Sequence, residues 1–114
     1  MKKFALTLDL KDDKDLIEEY RHYHRNVWPE IKASILASGI ISMEIFLLGN
    51  RLCMFLETDD TFSFPKKADA DASNPKVQEW EALMWKYQQP LPQARSGEKW
   101  MLMESIFLLT PDRP

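Results

Sequence analysis

The feature that most limits what this chain can fold into is a change of hydrophobic period along it. Over residues 4–10 the apolar side chains fall at every second position, at Phe4, Leu6, Leu8 and Leu10. That is the repeat of a strand with one face buried. The spacing then becomes four, three and four at Leu16, Tyr20, Tyr23 and Val27, which makes one face of a helix. Asp12 or Asp13 can cap that helix, because a short carboxylate accepts hydrogen bonds from the free amides of the first turn. Trp28-Pro29 interrupts the pattern. Proline suits the first turn of a new helix, so residues 29–38 predict a second, offset segment ending at Gly39.

Two β-rich runs follow, residues 41–48 and 52–57, around Gly49-Asn50-Arg51. A Gly-Asn pair between such runs marks a hairpin. The polar stretch of residues 58–74 contains Phe62, Phe64 and an alanine-rich piece that reads as a short helix. Asn74-Pro75 opens another helix, with asparagine as cap and proline at the first position. On it Val77, Trp80, Met84 and Tyr87 share a face, and Pro90 and Pro92 end it. Residues 100–109 read as a last strand. The order is β-α-β-β-α-β, an α+β arrangement of ferredoxin-like type with a four-stranded antiparallel sheet. With no repeat, linker or low-complexity tract, residues 1–114 read as one domain.

Helices cover one face of such a sheet, yet the hairpin is apolar on both. Met43, Ile45 and Leu47 alternate with Phe46 and Leu48, and Leu52, Met54 and Leu56 alternate with Cys53 and Phe55. A small monomer does not leave that much apolar surface in water. The pattern therefore predicts a homodimer that pairs the open faces of two sheets into an α/β barrel.

Composition removes several function classes. A net charge of -3 and a pI near 5.4 argue against nucleic acid, whose phosphates need a basic face. No stretch approaches a membrane span. Cys53 is the only cysteine, so neither an internal disulfide nor a cysteine-built zinc site can form. The reading is a cytoplasmic protein in a reducing compartment. The chain has no glycine-rich phosphate loop, no Gly-x-Ser-x-Gly elbow and no paired-histidine metal motif. His22 and His24 are two residues apart and point to roughly opposite sides of a helix. Acid–base chemistry without metal or nucleotide is what remains.

The best candidates for it are Tyr20 and His24, four residues apart and hence neighbours one turn up the same face. A phenol beside an imidazole joins a hydrogen-bond donor to a group that titrates near neutrality. From spacing alone, a packed amphipathic helix with a satisfied histidine is the commoner arrangement. His22, beside Arg21, reads as a surface residue. Trp80 is either core or a flat platform for a sugar ring, whose C–H bonds stack on aromatic faces. Glu81 either accepts hydroxyl hydrogen bonds or faces solvent. Tyr87 reads as packing, and Asp69-Ala70-Asp71 as a helix surface or cap.

In these same residues the chain resembles the L-rhamnose mutarotase family. The pieces that carry the resemblance are Tyr20-x-x-x-His24 with Val27-Trp28-Pro29-Glu30, then Gly39, the hairpin of residues 45–56, and Asn74-Pro75-x-Val77-Gln78-x-Trp80. It runs along nearly the whole chain. It implies a ferredoxin-like dimer without cofactor that interconverts the anomers of a free deoxyhexose, L-rhamnose by default. It also implies that His24 is the catalytic proton donor, Tyr20 a substrate-binding residue, and Trp80 part of the sugar site. Two positions where the family holds substrate depart from its pattern. Met43 stands where a tyrosine is expected, and Glu81 where a second tryptophan is, which leaves L-fucose or another deoxyhexose open. In the implied reaction His24 delivers a proton to the ring oxygen, and Glu81, Tyr20 or a water removes the anomeric proton. Two other readings use the same frame: a cofactor-poor monooxygenase or haem-binding enzyme, and a non-catalytic sugar-binding module.

Overall fold

In the computed structural model, which describes residues 1–111, the N-terminal alternation becomes β1 (Lys2–Leu10). Leu6, Leu8 and Leu10 are buried on one side of it. α1 (Lys14–Arg25) starts at Asp13, whose carboxylate accepts from the amides of Asp15 and Leu16 at 3.0 Å each. α2 (Pro29–Ala37) carries Pro29 in its first turn. It stops before Gly39, which has a φ of +99°. A Cβ at Gly39 would lie 2.7 Å from the Asp59 carboxylate, so both backbone angle and space demand glycine there.

β2 (Ile40–Leu48) and β3 (Arg51–Thr58) form the expected hairpin about Gly49 and Asn50. A register irregularity between Ile40 and Ser42 leaves Ile40 buried and Ile41 exposed. Beyond it Met43, Ile45 and Leu47 pack toward the cores and Glu44, Phe46 and Leu48 are exposed. α3 (Phe64–Ala72) is capped by the Ser63 hydroxyl, which accepts from the Lys66 amide at 3.2 Å. α4 (Pro75–Trp85) is capped by Asn74, which accepts from the amides of Lys76 and Val77 at 3.1 and 3.3 Å. Val77, Trp80 and Met84 are buried on the face read from the sequence; Tyr87, expected on the same helix, is buried too but lies past its end, in the turn that leads to the next strand.

The sheet is antiparallel, in the order β2-β3-β1-β4. This is the α+β ferredoxin-like arrangement expected. Its far edge differs from the expectation of one strand over residues 100–109. Two short pieces share that edge of β1. β4 (Gln88–Gln89) pairs with Leu10 and Asp9, and β5 (Met101–Leu102) pairs with Thr7 and Leu6. The sheet thus has five strands rather than four. Proline explains the break. Continued in register, Pro90 would fall opposite Leu8, where it has no amide hydrogen to give the ladder. The chain leaves the sheet there and returns at Met101. Its last main-chain bond to β1 runs from the Met103 amide to the Ala5 carbonyl at 2.7 Å. Ile106, Phe107, Leu108 and Leu109 lie beyond it, each at least 79% exposed.

Two apolar clusters fill the space between helices and sheet. One gathers Leu10, Tyr20, Ile31, Leu52, Val77, Trp80, Met84 and Tyr87 at the Leu10 end of β1. The other gathers Leu6, Ile40, Met54, Leu56 and Phe62 at the opposite end. The cleft described next runs between helices and sheet and is lined from both clusters.

Candidate functional site

The i, i+4 spacing of Tyr20 and His24 on α1 stacks their rings, with centroids 4.2 Å apart and planes inclined at 35°. Trp80 reaches the same point from α4, its ring edge-on to the His24 imidazole at 5.8 Å. Trp28, at the start of α2, packs edge-on against Trp80 at 5.0 Å. Two helices thus meet at the histidine, and the start of a third backs Trp80.

His24 Nδ1 lies 2.8 Å from the main-chain carbonyl of Tyr20. A carbonyl can only accept, so Nδ1 carries the hydrogen and donates it. In the neutral ring this leaves the lone pair on Nε2. Burial drives the His24 pKa below its usual 6.5, with the bond to the Tyr20 carbonyl opposing. Burial pushes the Tyr20 phenol the other way, up to about 12, with the Gln88 amide opposing and the Glu81 charge adding to the rise. Near neutral pH the site therefore holds an unprotonated imidazole nitrogen beside a phenol that keeps its proton. Groups driven apart in this way divide base and donor roles between them.

Both residues line a cleft of about 620 Å³ between the helices and the inner face of the sheet. That volume lies within the range of small-molecule sites. Tyr20, His24, Met43, Trp80 and Glu81, the five positions singled out from the sequence, all line it. They are not all neighbours. Tyr20 and Trp80 belong to the cluster at the Leu10 end, with His24 in ring contact with both. Met43 packs with the other cluster, opposite Leu56 in the ladder. The cleft thus spans the two clusters, with Tyr20, His24 and Trp80 at one and Met43 at the other.

The segment between β4 and β5 supplies residues that no sequence pattern had indicated. Lys99 Nζ lies 2.5 Å from Glu81 Oε2 and 3.1 Å from the Glu81 carbonyl oxygen. It also stands 4.6 Å from the centre of the Trp85 ring, in reach of a cation–π contact. These contacts staple the segment to α4 and bring Trp100 into the cleft wall. Glu81 is therefore a half-exposed carboxylate engaged by a lysine, not a free surface acid. On the rim Lys67 and Asp71 pair at 2.5 Å, so Asp71 faces the cleft as well as sitting on a helix surface. Gln88 lines the floor. Lys99 lies 18 residues from Glu81 and belongs to no periodic run, so nothing local advertises it. His22 is exposed, as read from its neighbours. Among the described residues, no group of three or more His, Cys, Asp or Glu side chains is placed to hold a metal ion.

Known proteins resemble this chain along nearly its whole length. Residues 3–109 match the family model described as L-rhamnose mutarotase. The chain is 43% identical over 112 residues to the L-fucose mutarotase of Xanthomonas campestris pv. campestris, covering 96% of this chain and 90% of that one. It is 33% identical over 98 residues to the L-rhamnose mutarotase of Bacillus subtilis, covering 84% and 85%. Among solved structures, the L-rhamnose mutarotase of Formosa agariphila superposes with a TM-score of 0.72 at 20% identity, over 96% of this chain and all of that one. The tetracenomycin F2 cyclase of Streptomyces glaucescens superposes with a TM-score of 0.68 at 17% identity, over 98% of this chain and all of that one. The two superpositions speak to the fold alone, whereas the match over residues 3–109 and the 43% identity speak to descent: this chain belongs to the L-rhamnose mutarotase family.

Proposed function

We infer that the protein is an aldose mutarotase, interconverting the α and β anomers of a free 6-deoxyhexose without a cofactor. The observation that carries this reading is the Tyr20–His24 pair, stacked at 4.2 Å with its two pKa values displaced in opposite directions. Opening a pyranose removes a proton from the anomeric hydroxyl and places one on the ring oxygen. Both oxygens are bonded to the anomeric carbon, so one imidazole can serve them in turn. His24 Nε2 takes the anomeric proton, and the imidazolium so formed gives it to the ring oxygen as the C1–O5 bond breaks. The group implied as proton donor is then also the missing base. Rotation about C1–C2 and the reverse transfer give the other anomer. Tyr20, still protonated, donates a hydrogen bond to a sugar oxygen. Trp80 offers an apolar wall and Glu81 an acceptor for hydroxyls, while Met43 faces the apolar part of the sugar.

The 43% identity to an L-fucose mutarotase makes L-fucose the first sugar to test and L-rhamnose the second. Saturation transfer between anomeric proton resonances, with protein added to each equilibrated sugar, reads the exchange directly. Protein-dependent exchange is the expected result, and none with either sugar or with other free aldoses would overturn the reading.

A homodimer belongs to the same reading. Phe46 and Phe55 touch at 5.7 Å on the sheet face away from the helices and are half exposed, and the apolar run from Ile106 to Leu109 is exposed as well. A second copy would take this surface out of water. Light scattering on the eluting protein gives the mass, and a monomer at micromolar concentration contradicts the pairing. No helix among the described residues is long and apolar enough to cross a membrane. The cytoplasm is the compartment that an unpaired thiol at Cys53 fits.

A further inference from the structure

Gln88 opens β4 and pairs with Leu10 of β1, so its side chain stands on the helix-covered face of the sheet. It is 4% exposed and lines the cleft with Tyr20 and His24. Its Oε1 has no hydrogen-bond partner, and no other buried side-chain oxygen or nitrogen among the described residues is in that state. An amide oxygen sealed from water without a donor is costly, and among the described residues the Gln88 side chain is otherwise engaged only with the Tyr20 phenol, whose pKa it lowers. A side chain of this kind is completed by a ligand that both donates and accepts. A sugar hydroxyl does both, and rotation of the amide by half a turn presents it with either atom.

The identity of the hydroxyl follows from the proposed reaction, on which this inference rests. His24 occupies the anomeric end of the sugar, which leaves Gln88 a hydroxyl elsewhere on the ring. L-Fucose and L-rhamnose differ at C2 and C4, and at each carbon the hydroxyl is axial in one sugar and equatorial in the other. An amide fixed by the ladder to β1 meets one orientation and misses the other. We propose that Gln88 is a specificity-determining residue, whose buried amide hydrogen-bonds the C2 or C4 hydroxyl of the bound deoxyhexose and so selects between the two sugars. Sites built to bond a hydroxyl discriminate strongly against analogues that lack it, because their own polar groups are then left unpaired.

The test compares the wild-type protein with Gln88→Leu and Gln88→Met, two apolar replacements of similar length. Anomer exchange is measured for L-fucose, for L-rhamnose, and for the 2-deoxy and 4-deoxy derivatives of the better sugar. The wild type is expected to lose about 10–100-fold in kcat/KM on one monodeoxy derivative. Both variants lose a similar factor on the complete sugar and no longer distinguish it from that derivative, while keeping the wild-type circular dichroism spectrum. A variant that keeps the wild-type ranking of the four sugars overturns the proposal, and so does a wild type indifferent to both deletions. Exchange of no sugar by the wild type is a failure of the mutarotase reading instead. Saturation-difference NMR with the same four sugars then decides the Gln88 question. Binding that depends on one hydroxyl and loses that dependence in both variants upholds it, and any other binding pattern, absence of binding included, overturns it.

Discussion

α1 and the segment from Gln88 to Trp100 meet at the same cleft but reach it by different means. On α1 the placement is local. Asp13 caps the helix, the 3.6-residue repeat turns Tyr20 and His24 onto one face, and the Tyr20 carbonyl orients the imidazole. Nothing outside the helix is needed to stack the two rings. In the later segment nothing is local. Gln88 is held by pairing with a strand 78 residues earlier in the chain, and Lys99 by a carboxylate on α4. In the proposed reaction this becomes a division of labour: the helix would supply the reacting groups, and the looped-out edge of the sheet the contacts that fit one sugar. Changes on α1 outside the reacting pair should then act on stability, and changes in the segment on selectivity and rate.

The largest effect is expected where the chemistry sits. His24→Ala should lower anomer exchange by about 10²–10⁴-fold, with the circular dichroism spectrum and melting temperature close to wild type. Normal exchange in that variant would remove histidine from the mechanism. A smaller effect is expected in the segment. Lys99→Met removes the bond to Glu81 Oε2 and frees the loop bearing Trp100, and a displaced wall costs rate even where it takes no part in the chemistry. Exchange should fall about tenfold with little change in melting, since Glu81 is open enough to be hydrated. An unchanged rate would show that the staple does not serve the site. The smallest effect on rate belongs to Asp13→Ala. It removes two cap bonds and about 1 kcal/mol, read as a melting shift of a few degrees, while exchange at low temperature stays as in wild type. A large loss of exchange in Asp13→Ala would erase the distinction between the two regions.

The same contrast explains what the sequence disclosed. β1, both halves of α1–α2, the hairpin and α4 were legible because each announces itself within a dozen residues, by period, cap or turn. Tyr20 and His24 were legible for that reason, and Trp80 because an aromatic on a capped helix has a definite face. Residues 100–109 misled because an apolar, β-rich run reads alike whether it pairs within its own chain, pairs with another, or stands free. Only Met101 and Leu102 enter the ladder. Pro90 does not end α4, as the sequence suggested: the helix stops at Trp85 and Pro90 ends β4 instead, and the return of the chain to β1 at Met101 is decided by which edge positions Gln88 and Gln89 leave vacant. Lys99 and Gln88 escaped notice because their partners, Glu81 and β1, are distant in sequence. Glu81 itself was left between sugar ligand and surface acid, and what the sequence did not disclose is its pairing with Lys99.

The protonation state of His24 is the centre of the account, and the pH dependence of wild-type anomer exchange tests it most directly. Burial holds the His24 pKa below 6.5, and in the proposed reaction the neutral ring, with its lone pair on Nε2, is the form that begins the exchange. The rate should therefore be flat from above pH 6.5 toward pH 8 and fall as the pH drops through the His24 pKa, below 6.5. Stability should follow in the same direction. A histidine whose folded pKa is depressed leaves the folded state at full strength above the unfolded value and weakens it as acid protonates the ring. Exchange that instead rises as the pH falls through 6 would make the imidazolium the starting form and contradict the account.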